Sequence, residues 1–159
     1  MLGGYMMMQK DKLNIAIAND DAEDRQFFKE AFKQVKVATT VTTFKSGRAL
    51  CNYLRLTPDL PHLVLINLNK PSGAGMEWLG KIRANKKLRD VVVGVYSSSS
   101  YMLHVEEAFI AGANIYIKKP DDYNAFKKVL TDVVGLSLLY LTDGLNRESF
   151  MVSYLEDGL

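Results

Sequence analysis

Short apolar runs alternate with amphipathic segments along most of this chain, and this alternation limits the possible folds more than any other feature. The clearest apolar runs are LNIAIA from Leu13, LVLI from Leu63 and VVVGVY from Val91, and each ends at a polar or turn-forming group. Such short runs fit buried strands better than core helices. Between them, apolar side chains recur at spacings of three and four, as in AEDRQFFKEAFKQV from Ala22, which is typical of amphipathic helices.

The whole pattern predicts five strand–helix pairs. Two further strands are expected at residues 37–44 and 115–117, and the other helices begin near Ser46, Met76, Tyr101 and Pro120, the last running through Val134. Apolar strands separated by helices indicate a parallel sheet that is covered on both faces and joined by right-handed crossovers. We therefore predict an α/β fold, a flavodoxin-like (βα)5 doubly wound parallel sheet with strand order 2-1-3-4-5.

The 159 residues are expected to form one domain, because domains cluster at about 100 to 200 residues. That domain is predicted to span residues 13–134. Residues 1–12 lack the basic and apolar regions of a signal peptide, so they are expected to be a flexible leader. Residues 135–159 are too few for a separate domain, and they are predicted to be a C-terminal extension that packs on its own domain or, alternatively, contacts a second subunit in a homodimer.

Charge and cysteine content exclude several function classes. Twenty basic and eighteen acidic side chains leave a formal charge of +2, which is too small to drive binding to nucleic acid or to an anionic membrane. No apolar stretch approaches the roughly 20 residues that span a bilayer. The single cysteine, Cys51, has no partner for an intramolecular disulfide, and we expect a cytoplasmic protein.

Polar side chains collect where the predicted strands end. They are Asn19 and Asp20 after the first strand, Asn67 and Asn69 after the third, Ser97 after the fourth, and Lys119 before Pro120 after the fifth. Because parallel strands end at one edge of a sheet, and ligands of open α/β sheets bind at that edge, these side chains are expected to converge on a site.

Four motifs surround these residues: NDDAEDR, PHLVLINLNKPSGAGMEWLGKIR, VYSSSS and AGANIYIKKP. In this order and spacing they resemble the receiver domain of response regulators in two-component, or phosphorelay, signal transduction. Members of that family hold a divalent cation with two acids after the first strand and one after the third, and the third acid accepts the phosphoryl group. A hydroxyl residue and a lysine complete the family's site.

The resemblance implies a role for each matching position. Ser97 and Lys119 match the hydroxyl residue and the lysine, and Asn69 fits the residue whose backbone carbonyl binds the metal. Asn67, however, falls on the phosphoacceptor position and Asn19 on the first acid. Asp20 is the one acid of the three that remains, since the neighbouring Asp21 looks like a helix N-cap that points away.

These two amides change the expected chemistry. A carboxamide lacks the charge of the carboxylate nucleophile, and the net charge of the acids and the lysine rises from −2 in the family pattern to 0 for Asp20 and Lys119. Magnesium binding through Asp20, Asn67 and Asn69 is therefore expected to be weak or absent, and no other cofactor is expected. Instead, Lys119 is expected to pair with Asp20 and to hydrogen-bond the carbonyl of Asn67.

The sequence thus favours a stand-alone pseudo-receiver that is not an enzyme and acts without phosphorylation. Its expected partners are signalling proteins, a histidine kinase or a downstream effector, bound through the fourth helix, fifth strand and fifth helix, with Ser97 and Tyr116 as the matching switch pair. The alternative is an active, magnesium-dependent receiver whose acceptor aspartate was changed to Asn67. Taken singly, Asn19 also fits a turn residue, Lys119 a solvated lysine and Tyr116 a rim aromatic with its hydroxyl in water.

Flavin binding and hydrolysis are disfavoured. A flavodoxin needs a first loop that cradles phosphate, whereas NDDAED would repel it. A hydrolase needs a nucleophile, a base and an orienting group together, and no such set falls at the predicted edge.

Overall fold

A computed structural model describes residues 12–68, 74–98, 102–142 and 151–152. Its strands are β1 (Leu13–Ala18), β2 (Thr39–Phe44), β3 (Leu63–Asn67), β4 (Val92–Ser97), β5 (Ile115–Lys118) and β6 (Met151–Val152). Its helices are α1 (Ala22–Lys33), α2 (Gly47–Leu56), α3 (Ala74–Ala84), α4 (Met102–Ile110) and α5 (Tyr123–Thr142), with a 3-10 turn at Lys86–Leu88. Outside the described residues lie Asn69, residues 1–11 of the predicted leader, and most of the C-terminal extension.

The sheet confirms the predicted flavodoxin-like order and adds one strand. All strand pairs are parallel, and the order is β2-β1-β3-β4-β5-β6. The five strand–helix pairs occur as predicted. The apolar runs of β1, β3, β4 and β5 are buried, as in a parallel sheet that is covered on both faces, whereas the edge strand β2 is only partly buried. The added strand β6 pairs with β5 in the register Tyr116↔Met151 and Ile117↔Val152. The last helix also extends beyond the predicted end at Val134, to Thr142.

Two apolar clusters hold the helices on the sheet. The first lies under α1 and α5 and is rich in aromatic rings: Phe28 contacts Phe126 and Tyr96, with ring centroids 5.5 and 5.0 Å apart, and Phe27 stacks on Phe126 at 4.8 Å. The second lies under α2, α3 and α4 and is mainly aliphatic. Burial of this apolar surface is the main force that stabilises the fold.

Arg83, near the end of α3, joins four parts of the chain. Its Nε donates to the carbonyl of Gly112 at 2.7 Å, and its terminal nitrogens donate to the carbonyls of Leu88 and Val91 at 3.2 and 3.0 Å and to the Asn114 side chain. Burial lowers the pKa of this guanidinium. Arg83 therefore fastens α3 to the start of β4 and to the turn before β5.

Helix starts follow the predicted caps. The Asp21 carboxylate accepts from the backbone N–H of Glu23 at 2.8 Å, and Ser46 Oγ accepts from the N–H of Ala49 at 3.1 Å. These side chains satisfy backbone donors that the first turn of a helix leaves unpaired. Asp21 thus serves as the N-cap of α1, as the sequence predicts.

Gly47 is expected to be intolerant of a side chain. A Cβ at this position would lie 2.2 Å from Cδ1 of Trp78, which packs α3 against the start of α2. We expect Gly47→Ala to lower the free energy of unfolding by about 1–3 kcal/mol, the usual cost of overpacking, as measured by urea denaturation. The matched control is Gly80→Ala: a Cβ there meets nothing within 4 Å, and the change should stabilise α3 by about 0.5–1 kcal/mol. Equal effects at the two glycines would contradict the Trp78 contact.

Within the part of the chain that the structure describes, no helix combines the length and the apolar character needed to cross a bilayer.

Candidate functional site

The polar residues selected from the sequence lie at the carboxyl edge of the sheet. Asn19 follows β1, Asn67 ends β3, Ser97 ends β4 and Lys119 follows β5. The register fixes their neighbourhood, since Asn67 is opposite Tyr96 in the β3–β4 pair, and the N–H of Lys119 donates to the carbonyl of Ser97 at 2.7 Å. The parallel topology therefore brings these positions to one edge.

Asn19 is at the centre of a buried hydrogen-bond network. Its side chain is 2% exposed, and its Oδ1 accepts from the N–H of Asp21 at 2.8 Å, which forms the turn that the sequence allows. Its Nδ2 donates to the Tyr96 hydroxyl at 2.7 Å and to Oδ2 of Asp24 at 3.3 Å. A carboxamide suits this position because it both donates and accepts. A carboxylate could accept from the Asp21 N–H and from the Tyr96 hydroxyl, but it could not donate to Asp24.

Tyr96 is a residue of the site that the sequence pattern did not single out. It lies in β4 and is 1% exposed. Its ring packs against Phe28, and its hydroxyl accepts a hydrogen bond from Asn19. Burial raises the pKa of this phenol strongly, the hydrogen bond from Asn19 opposes that effect, and the charges of Asp24 and Asp20 raise the pKa further. Tyr96 is therefore neutral, and the two carboxylates lie close enough to influence it.

Lys119 forms an ion pair with Asp24, whereas the sequence led us to expect Asp20 as its partner. The distance from Lys119 Nζ to Asp24 Oδ2 is 3.4 Å, and the two side chains are 36% and 30% exposed. Asp24 lies in the first turn of α1, one turn after the Asp21 cap, so the helix directs its carboxylate back over the sheet edge. Asp20 itself is exposed. The interpretation of Lys119 as a purely solvated lysine is wrong.

The remaining positions differ in burial. Ser97 is 4% exposed and Asn67 is half-buried at the end of β3. Tyr116 is fully buried on the sheet face that carries α2, α3 and α4. The interpretation of Tyr116 as a rim aromatic in water is therefore wrong, because β5 directs this ring into the core.

The donor set fits a divalent cation poorly. Asn19 directs its NH2 group to Tyr96 and Asp24, its oxygen is already bonded to a backbone N–H, and the Asp24 carboxylate is neutralised by Lys119. Hard cations need free, preferably anionic oxygens. Among the described residues, no group of three or more His, Cys, Asp or Glu side chains is arranged to hold a metal ion.

Tyr96 gives a pH-dependent prediction. In the unfolded chain its phenol ionises near pH 10, whereas in the folded chain burial keeps it protonated. The native state then binds one proton more than the unfolded state above pH 10, so stability falls as pH rises there. Tyr96→Phe removes this effect and should reduce the fall in unfolding free energy between pH 9 and pH 11 by about 1.4 kcal/mol. Urea denaturation between pH 9 and 11 measures this fall; an unchanged fall would contradict a buried, neutral phenol. Tyr53→Phe, at a partly exposed tyrosine, is the control.

Comparison with known proteins gives a consistent result. The family model described as "Response regulator receiver domain" matches residues 15–131. The probable methanogenesis regulatory protein FilR2 of Methanothrix harundinacea is 25% identical over 134 residues, which cover 82% of this chain and 86% of that protein. A chemotaxis protein CheY homolog of Campylobacter jejuni is 33% identical over 73 residues, covering 46% of this chain and 56% of the homolog.

Solved structures share the fold. The phosphorylated cyanobacterial phytochrome response regulator RcpA superposes with a TM-score of 0.70 at 22% identity, covering 85% of this chain and 97% of that one. A response regulator receiver domain from Rhodospirillum rubrum gives 0.68 at 24% identity, covering 80% and 92%. At these identities the likeness concerns the fold alone.

Proposed function

Because this chain belongs to the response regulator receiver family, we propose that it is a pseudo-receiver, a signalling module that binds partner proteins without accepting phosphate. In this proposal Asn67 occupies the acceptor position and Asn19 the position of the first acid. The domain then supplies a fixed binding surface in place of a phosphorylation-dependent switch.

The network around Asn19 carries the proposal. Nδ2 of Asn19 bonds both the Tyr96 hydroxyl and Asp24, and Asp24 is paired with Lys119. Phosphoryl transfer to a receiver needs an anionic oxygen and a cation that neutralises the phosphoryl group. Here the amide side chain at 67 is not anionic, and the nearby lysine is engaged by an acid that lies outside the family's metal site. Magnesium is expected to bind weakly at most.

The partner surface is proposed to include α4, β5 and α5. Receiver domains interact with histidine kinases and effector proteins. On α4, Met102, Leu103 and Ile110 are 61%, 59% and 79% exposed. Large exposed apolar side chains on one short helix are typical of a protein-binding surface. This supports contact with signalling proteins as the mode of action.

Incubation with acetyl phosphate and Mg²⁺, followed by intact-mass measurement, tests the proposal directly. We expect the mass of the chain to stay unchanged, because the amide at position 67 does not attack phosphorus. Fluoroberyllate with Mg²⁺ should likewise leave the amide NMR signals of Asn67 and Ser97 in place. A catalytically competent receiver of the same family serves as the positive control for the reagent.

The alternative function is that of an active receiver whose acceptor aspartate was changed to Asn67, and Asp20, Ser97 and Lys119 at the sheet edge favour it. If it holds, Asn67→Asp alone restores a phosphoryl adduct on that residue. In a pseudo-receiver, acetyl phosphate adds no mass to the Asn67→Asp variant. The reason is that position 19 still carries an amide, which donates to Asp24, where the family has an acid. An adduct on the unmodified chain would overturn the proposal.

A further inference from the structure

Strand β6 covers the outer edge of β5, within the surface proposed above for partner binding. The two strands share two residue pairs, Tyr116↔Met151 and Ile117↔Val152. Without β6, the N–H and C=O groups on this side of β5 would form an edge open to pairing with another extended segment. The chain thus supplies its own strand at the position where a partner could add one.

The covering strand β6 is short. It contributes two residues, whereas the four residues of β5 extend about 13 Å, so β6 pairs with only part of β5. Eight residues, 143–150, separate the end of α5 from β6. Two residue pairs provide few backbone hydrogen bonds to offset the entropy of ordering this segment. Pairing of this kind opens far more easily than the central strands of a sheet.

We infer that β6 is a displaceable cover over a strand-docking edge, and that the partner recognises this chain by adding an extended polypeptide segment to β5 in its place. Recognition would use backbone hydrogen bonds along β5, with the apolar side chains of α4 beside the added strand. Because β6 is tethered to the domain, it competes with the partner segment for the edge of β5 at a high effective concentration. Only a partner that binds β5 tightly enough would displace it. The inference rests on the proposed partner-binding function, and it identifies β5 as the edge at which that binding is regulated.

The test compares the full chain with a variant that carries Met151→Pro and Val152→Pro. Proline has no N–H to donate, so β6 cannot pair in the variant, and Met151→Ala with Val152→Ala is the control that keeps both N–H groups. By NMR hydrogen exchange, the amide of Tyr116 or Ile117 that faces β6 should exchange at least tenfold faster in the proline variant. The amides of β1 and β3 should not change. A chain ending at Thr142 provides a second variant with the same expected result.

A synthetic peptide of residues 145–159 serves as the extended probe. At millimolar concentration it should shift the amide signals of β5 in the proline variant and in the chain ending at Thr142, and leave those of the full chain in place. Unchanged exchange at β5 in both variants, or no shift by the peptide in either, would overturn the inference. So would light scattering that shows a dimeric full chain and a monomeric truncated chain, because β6 would then be exchanged between two copies. None of these measurements depends on phosphate, so a failure here is separate from a failure of the pseudo-receiver proposal.

Discussion

Replacement of Arg83 by methionine is expected to lower the free energy of unfolding by about 3 kcal/mol and the melting temperature by roughly 6–12 °C. The methionine keeps most of the apolar stem but removes every donor of the guanidinium. The carbonyls of Gly112, Leu88 and Val91 then lose charged donors in a half-buried position. Unpaired acceptors in such places account for most of the cost. Urea denaturation followed by circular dichroism measures the loss.

Two controls separate the hydrogen bonds from the charge. Arg83→Lys retains the charge but has a single ammonium group, which cannot reach all of these acceptors at once, so it should recover less than half of the loss. Arg89→Met removes an exposed arginine next to the same turn and should change stability by less than about 0.5 kcal/mol. If Arg83→Met left the free energy of unfolding unchanged, water would replace the guanidinium as a hydrogen-bond donor without cost.

Changing Asn19→Asp together with Asn67→Asp is expected to make both stability and phosphorylation depend on magnesium. In the absence of metal, a carboxylate at position 19 loses its bond to the Tyr96 hydroxyl unless the phenol rotates to donate, and it lies near Asp24, to which Asn19 now donates at 3.3 Å. Two like charges at this distance repel each other, and we expect the double variant to lose about 1–3 kcal/mol of stability.

Millimolar Mg²⁺ should reverse this loss, because a ligand that binds only the folded state adds about 2.7 kcal/mol at one hundred times its dissociation constant. Acetyl phosphate should then add one phosphoryl group at position 67, from an undetectable level in the natural chain to most of the molecules. Urea denaturation with and without Mg²⁺, and intact mass, are the measurements. The control is Asn67→Ala with Asn19→Asp, which lacks the nucleophile. If Mg²⁺ changed neither the stability nor the phosphorylation of the double variant, the contacts of Tyr96 and Asp24 would prevent metal binding even with both carboxylates restored.

The first five strands and their order could be predicted because the signals for these strands are local. The runs around Ile15, Leu65 and Val93 are apolar on both sides, and the helices between them carry one apolar face, so the layers follow from the pattern. The strand β6 could not be predicted in this way. Two residues, Met151 and Val152, are too few to show a period, and their pairing depends on where α5 ends.

The site was only partly visible in the sequence. Asn19, Asn67, Ser97 and Lys119 lie at or just after the ends of β1, β3, β4 and β5, and the ends of the apolar runs indicate these positions. Nothing in the local pattern distinguishes Asp24, since acids are common in the first turn of a helix because of the helix dipole, so the sequence does not predict its ion pair with Lys119.

Tertiary contacts decided the remaining residues. Tyr96 ends the run VVVGVY, which predicts only a buried strand. A buried phenol needs a hydrogen-bond partner, and this requirement is the one signal that could have pointed to the site. Arg83 lies in the last turn of α3, where basic residues are common because of the helix dipole. Its acceptors lie up to 31 residues away, and nothing in the local pattern indicates them.

The aromatic rings beneath α1 form a continuous series of contacts from the amide of Asn19 to the last helix, α5. Asn19 bonds Tyr96, Tyr96 contacts Phe28, and Phe28 contacts Phe126 of α5. Close-packed rings transmit displacement because they leave little space to absorb it. Displacement of α5 by a partner bound at the proposed surface would therefore shift the ring that supports this amide, so that surface and the sheet edge would be coupled through packing.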